Sequence, residues 1–331
     1  MAESMATDAE RCVYLKRVAA CVNELRAIQL CYGQLHPDNY GYVCAFGEAA
    51  FDQVEGKVVA LKKQENVLVP WYNLHKLVAG LVDSYTVLLQ WNPETAAVAL
   101  AIVSDLGKYI FQRTQRLTQP KKLLEGEYGG MNDALYRLFQ VTNNPHHAAA
   151  AHAFDEVRLF QKLAAGVDCL AGHHANTMIP KLLGALQAVR SFEEMPEAQQ
   201  ERYPWAAMMP DYLAAVENFW AFVVNHHSYA TGGNSQSEHF HEAGELYHDA
   251  FECAGDCTCE TCNTHNLLKL TRLLWERMKE AHYADFYERT YINAILPSQH
   301  PETGMLMYFQ PMGMGYNKVF SQPFTDFWCC M

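Results

Sequence analysis

The amino-acid sequence predicts an all-α protein built from paired helices. Three observations carry this reading. Apolar residues recur at helical spacing over long stretches, the breaks between those stretches are short and hold turn formers, and long alternating apolar/polar runs are absent.

Taken in order, the chain opens on a polar stretch, Met1 to Arg11, with no apolar core of the kind a secretory signal needs. A first helix is expected over about 10–33. Leu74, Leu77, Val78, Leu81, Tyr85 and Leu88 then mark one buried helical face. Further helices are expected at about 94–117, 131–141, 146–163 and 177–190. Leu213, Val216, Trp220 and Val223 mark another buried face, as do Leu267, Leu270, Leu274 and Met278. A last helix covers about 282–296. Pro145 and Pro180 suit first-turn positions, where a missing N–H costs little.

Asn92-Pro93, Asn143-Asn144-Pro145 and Gly232-Gly233-Asn234 supply turns, and connections this short favour antiparallel neighbours. Two small hairpin arms are expected, one at Val58 to Leu61 and one at Met305 to Phe309. About ten helices of roughly 12–20 residues fit either a solenoid or a closed double-layered toroid. No sequence repeat of about 34 or 42 residues is visible, which weakens the solenoid. No linker rich in Gly, Ser or Pro interrupts the chain, so one domain over 1–331 is the simplest organisation.

Composition narrows the function. The chain has 331 residues, half of them hydrophobic, enough for a large core, and a formal net charge of −12. Nucleic acid and anionic membrane surfaces are poor partners for such a chain, because phosphate contacts need a basic face. No uninterrupted apolar run of about 18 residues appears, so no membrane span is expected, and without a signal sequence the expected location is cytoplasmic. The 11 cysteines do not resemble a compact disulfide framework.

Cys253, Cys257, Cys259 and Cys262 cluster, and Cys329 and Cys330 are adjacent. Glu260 and Cys262 precede the helix marked by Leu267, which Thr261 or Asn263 can cap. A helix N-terminus favours anions, so a thiolate at Cys262 is reasonable there. One carboxylate with the thiolates of Cys262, Cys329 and Cys330 matches the donor set of a tetrahedral zinc site; buried inert thiols are the plainer alternative. A zinc site made only of Cys253, Cys257, Cys259 and Cys262 is a rival, more compressed than the usual pairs of Cys-x-x-Cys.

A second element is Gly232-Gly233-Asn234-Ser235-Gln236-Ser237-Glu238-His239-Phe240. The glycine pair frees the backbone to turn and a polar loop then presents Glu238, either as a general acid/base or as a solvated loop carboxylate. His75 and His174, among 15 histidines, stand at helix starts, where each can aim at sugar hydroxyls or satisfy local backbone. Trp71, Tyr72, Phe240, Tyr308 and Trp328 lie close by in sequence; such rings stack on sugars, although most aromatics are core.

Taken together, the ordered motifs are distinctive. Val69-Pro70-Trp71-Tyr72-Asn73-Leu74-His75-Lys76, Glu127-Tyr128-Gly129-Gly130-Met131-Asn132, His174-Ala175-Asn176-Thr177, Thr231-Gly232-Gly233-Asn234-Ser235 with Glu238-His239-Phe240, Glu260-Thr261-Cys262-Asn263-Thr264, Glu288-Arg289-Thr290-Tyr291-Ile292-Asn293 and Phe327-Trp328-Cys329-Cys330 follow one another. The chain resembles, from roughly residue 35 to its end, the catalytic domain of the zinc-dependent β-L-arabinofuranosidases of glycoside hydrolase families 127 and 146.

The resemblance implies an (α/α)6 toroid, here incomplete: the family's N-terminal helices, C-terminal helices and β-sandwich are expected to be missing. It implies a retaining glycosidase that releases non-reducing-end β-L-arabinofuranose, or a related sugar, from an oligosaccharide or glycan. Cys329 is then the nucleophile and Glu238 the acid/base. Glu260, Cys262, Cys329 and Cys330 hold Zn2+, and His75, His174, Glu288 and Tyr308 contact the sugar. The alternative from a different class is a non-catalytic carbohydrate- or zinc-binding helical protein. A third, a sugar epimerase, would rely on histidines and leave the thiols inert.

Overall fold

The structure is a computed structural model that describes residues 7–57, 67–117, 123–124, 129–247, 257–326 and 328. The hairpin expected at Val58 to Leu61 lies outside these residues, as do Glu127, Tyr128, Cys253, Cys329 and Cys330. The observed class is the expected one: helices dominate, and pairing among the described residues is confined to isolated β-bridges. No helix among them is long and apolar enough to cross a membrane.

The chain forms two compact units. The first comprises Met1–Asp155 and Arg190–Gln200. It holds α1 (Asp8–Leu35), α2 (Ala49–Val54), α3 (Pro70–Leu88), α4 (Pro93–Gln115), α5 (Met131–Thr142) and α6 (Pro145–Ala153). Each start has a local cause. Thr7 and Glu10 form a capping box at α1. Asn92 accepts the Thr95 N–H at 3.1 Å with Pro93 as first residue of α4, and Asn144 accepts the His146 N–H at 3.0 Å with Pro145 first in α6. Asn143, at φ 51°, ends α5 in the left-handed region.

The packing gathers Phe51, Trp71 and Phe154, with ring centroids 4.6 and 5.2 Å apart. Beside them Arg113 binds Glu55 at 2.6 Å, Asp52 at 2.5 Å and Glu48 at 3.4 Å. Burial pushes the Glu55 carboxyl up, while Lys57 and Arg113 hold Asp52 down against its own burial.

The helix expected over 146–163 is two helices, α6 and α7 (Val157–Ala164), separated at Phe154 to Glu156. The break has a polar cause. The Asp155 carboxylate turns inward to accept from Asn132 at 3.1 Å and Tyr136 at 2.8 Å, with His152 Nδ1 at 3.0 Å.

The second unit comprises Glu156–Val189 and Glu201–Met331. It holds α7 and most of α8 (Ala175–Glu193); the short α9 (Glu197–Gln200) returns to the first unit. Then come α10 (Met209–His226), α11 (Thr261–Met278) and α12 (Ala281–Thr290). The last expected helix ends its α-helical part at Thr290 and continues as a π-helical turn, Tyr291–Ile295, and a 3-10 turn, Leu296–Ser298. Pro180 stands inside α8 rather than in its first turn, because the helix starts two residues earlier than its apolar pattern indicated. The Asn218 amide of α10 donates to the Leu163 carbonyl at 2.8 Å, and the Trp220 indole to Thr271 of α11 at 2.9 Å.

Met305 to Phe309 begins as the expected hairpin arm: across a short turn the His300 N–H donates to Met305 O at 2.7 Å and the Met307 N–H to Ser298 O at 2.8 Å. It makes single bridges to three different places: Leu306 to Gln299, Met307 to Phe320 and Phe309 to Glu260. That last bridge sets Tyr308 beside the start of α11.

Candidate active site

Three segments of the second unit meet at Glu238. The first is the start of α8, the second the loop after α10, and the third the segment through Tyr308. The loop turns on Gly232, at φ 90°, where a Cβ would lie 1.9 Å from Thr290 Oγ1; only glycine fits. At Gly233 a Cβ would lie 2.7 Å from Cys259 Sγ, so the glycine pair also makes room for that sulfur. Ser235, Ser237 and Glu238 follow with φ of 75°, 46° and 68°. Such backbone persists only where its surroundings hold it. Here the Ser237 N–H donates to Cys257 O at 2.8 Å, the Cys259 N–H to Ser235 O at 3.1 Å, and the Ala175 N–H to Glu238 O at 2.8 Å.

The Glu238 side chain is about one-third exposed and both oxygens are engaged. His174 Nε2 lies 3.1 Å from Oε2, and the Tyr308 hydroxyl donates to Oε1. The other His174 nitrogen, Nδ1, is buried. Burial is the largest influence on His174 and lowers its basicity, which the Glu238 charge partly offsets. Glu238 and Tyr308 line a cavity of about 430 Å3 whose other walls are Cys257, Phe309, Pro311, Asn317, Val319 and Trp328.

Glu260 is the N-cap of α11, which corrects the expectation that Thr261 or Asn263 caps it. Those two side chains are used elsewhere. The Thr261 hydroxyl donates to Met307 O at 3.0 Å. The Asn263 amide, fully buried, donates to Ser235 Oγ at 2.7 Å and Glu260 Oε2 at 3.3 Å. It thereby joins the Glu238 loop to the start of α11. The Glu260 carboxyl is 1% exposed, and burial, then the charge of Glu238, pushes it up to about 8.

Cys262 lies two residues on and is disulfide-bonded. Glu260 and Cys262 supply an oxygen and a sulfur donor, the types zinc prefers. A cation would also reverse the penalty that burial places on the Glu260 charge. The donor types fit zinc once the Cys262 disulfide is reduced to a thiol; the other two expected ligands, Cys329 and Cys330, lie outside the described residues. Among the described residues no group of three or more His, Cys, Asp or Glu forms a metal site. Of the rival cysteine cluster, Cys253 lies outside the described residues, Cys257 lines the cavity, and Cys259 is buried against Tyr229, its thiol pushed up by burial to about 12.

Two sugar-contact candidates remain. His75 belongs to the first unit, where it is buried and packs on Gly130. Glu288 is exposed on α12 and lines a different cavity with Arg272, Trp275, Ala284 and Tyr287. A residue that the sequence did not single out for the site is Phe309, which reaches the cavity through contacts distant in sequence; Ser235 stood inside the glycine-pair motif and Cys257 inside the cysteine cluster. Asn263 carried a signal, since it stands inside the Glu260-Thr261-Cys262-Asn263-Thr264 motif.

The fold is similar to that of solved structures. A solved structure described as a glycoside hydrolase superposes over 97% of this chain and 49% of its own at 11% identity, with a TM-score of 0.56. A GH127 β-arabinofuranosidase structure aligns over 74% of this chain and 37% of its own (15% identity, TM-score 0.49). A GH127 β-L-arabinofuranosidase from Geobacillus stearothermophilus T6 aligns over 90% and 57% (15% identity, TM-score 0.41). The chain thus spans about half the length of these structures. No curated protein matches it. The model of the β-L-arabinofuranosidase GH127 catalytic domain matches residues 1–331, and the chain belongs to that family.

Proposed function

We propose that this domain is a retaining glycoside hydrolase that releases β-L-arabinofuranose, or a closely related sugar, from a glycan. The observation that carries the reading is Glu238: a loop carboxylate held through both oxygens at the wall of a cavity of about 430 Å3, with the buried Glu260 carboxyl close enough to feel its charge. Glu238 is the acid/base. In the first half-reaction its proton passes to the glycosidic oxygen, the C–O bond breaks, and the Cys329 sulfur bonds to the anomeric carbon. In the second, a water oxygen bonds to that carbon, the S–C bond breaks, and the water proton returns to Glu238.

Glu260, Cys262, Cys329 and Cys330 would hold zinc, which when bound keeps thiols ionised near neutral pH. Because the Cys262 sulfur is paired, loading calls for reducing conditions. His75 is assigned to the sugar by the family likeness.

The test is incubation of reduced, zinc-loaded protein with 4-nitrophenyl β-L-arabinofuranoside, alongside Cys329→Ala and Glu238→Ala. Turnover lost in both variants, with azide restoring Glu238→Ala as a glycosyl azide, supports the assignment. A folded, zinc-loaded sample that binds arabinose without turnover overturns it in favour of a binding protein. Turnover untouched by Cys329→Ser would point to histidine-dependent chemistry instead.

A further inference from the structure

We propose that Asn263 is a positioning residue for the metal: its buried amide holds the Glu260 carboxyl in register with the loop that carries Glu238, so that the carboxylate meets zinc already oriented. The inference rests on the zinc reading of Glu260 and Cys262 and goes beyond it, since Asn263 is not one of the four ligands in that set.

The helix start explains how the amide comes to lie there. Glu260 is the N-cap of α11 and Asn263 the third helical residue. In a capping box the side chain at that third position reaches back to the N-cap backbone. Here it reaches back to the N-cap side chain instead. Asn263 Nδ2 donates to Glu260 Oε2 at 3.3 Å and to Ser235 Oγ at 2.7 Å. The Glu260 main chain is held separately: its carbonyl accepts the Thr264 N–H at 3.2 Å and the Thr264 hydroxyl at 2.9 Å. The next residue, Thr261, donates its N–H to Tyr308 O at 3.0 Å. The amide therefore acts on the carboxyl group rather than on the backbone that carries it.

Charge sets which end of the amide faces Glu260. An ionised carboxylate can only accept, so the nitrogen faces it, and both amide hydrogens are then used. Asn263 is 0% exposed and Glu260 1%, so bulk water is not at hand to replace a lost donor. A buried carboxylate facing a cation realises that attraction only when its other lone pairs are also hydrogen-bonded, and such outer partners orient the ligand. The second anchor, Ser235, is itself fixed: its backbone is left-handed at φ 75° and its carbonyl accepts the Cys259 N–H at 3.1 Å.

The test is zinc affinity of the reduced protein, measured by competition with a chromophoric chelator, in a double-mutant cycle with Glu260→Ala. Asn263→Ala is expected to weaken zinc binding about 10–100-fold when Glu260 is present. In the Glu260→Ala background the same change should matter by no more than about twofold, because the group it orients is gone. An equal loss in both backgrounds would mean that Asn263 serves the fold alone, and would overturn the proposal. So would unchanged affinity in Asn263→Ala. Should Asn263→Ala fail to fold, Ser235→Ala releases the other end of the amide and is read by the same cycle, with the loss again confined to protein that keeps Glu260. Wild-type protein that takes up no zinc when folded and reduced sinks the zinc reading and this proposal together; zinc uptake indifferent to Asn263 sinks this proposal alone.

Discussion

At the scale of single residues, Glu260 is the most informative group. Raised to about 8, it is mostly protonated at pH 7 in the metal-free protein. A divalent cation must ionise it, so zinc binding should release a proton from this side chain. Calorimetric titrations at pH 7 in two buffers of different ionisation enthalpy should show that release, smaller by about one proton in Glu260→Gln.

His147 gives a separate, purely structural prediction. It is fully buried in the first unit, bonded to Thr142 at 2.7 Å and 3.2 Å from the Ser104 carbonyl. Burial holds its pKa down to about 4, against about 6.5 in the unfolded chain. Between those values the unfolded state binds more protons. Stability is therefore full above about pH 6.5 and is lost as pH falls toward 4, by on the order of 3 kcal/mol. Urea midpoints from pH 7 to 4 should flatten in His147→Gln. Residues of this kind were not legible in the sequence: a histidine's burial is set by elements remote in sequence. Glu238, Glu260 and Cys262 were legible as a group because each stands in a short motif.

At the scale of elements, the glycine-pair turn after α10 is the most constrained connection. Gly232→Ala adds a methyl onto Thr290 at the end of α12 and forces alanine into positive φ. The expected cost is roughly 3 kcal/mol. Thr290→Ala in the same chain should recover only part of it, since the Thr290 Cβ would still lie 2.7 Å away and the φ penalty remains. Paired urea denaturation curves check both. The sequence marked this turn and most helix starts correctly, because capping and proline signals are local. It missed the break at Phe154 to Glu156, where the decision belongs to the buried Asp155 carboxylate and partners up to 23 residues away. It also read a helix through Tyr291–Ile295, since π and α turns share almost the same apolar spacing.

At the scale of the whole molecule, each unit has its own polar framework. The first is organised on Arg113, which serves three carboxylates from α2 and the residues flanking it. Arg113→Ala leaves the Glu55 charge, only 3% exposed, with Lys57 at 3.8 Å in place of its closest partner, and should cost about 3 kcal/mol. Amide exchange in α2 and α4 should accelerate correspondingly, and adding Glu55→Gln should recover part of the loss. The fold class was legible from periodicity across the entire chain. The division into two units was not, because no change of composition marks Asp155 or Arg190.

One detail of the site bears on how such a domain can change over generations. Cys257 and Cys259 are stitched to Ser237 and Ser235, and Asn263 ties Ser235 to Glu260. The spacing between the two carboxylates is thus set by bonds among described residues that stand far apart in sequence. A substitution at Ser235 or Asn263 would be felt at both carboxylates at once, so relatives should vary less at these two positions than at the exposed ones around them.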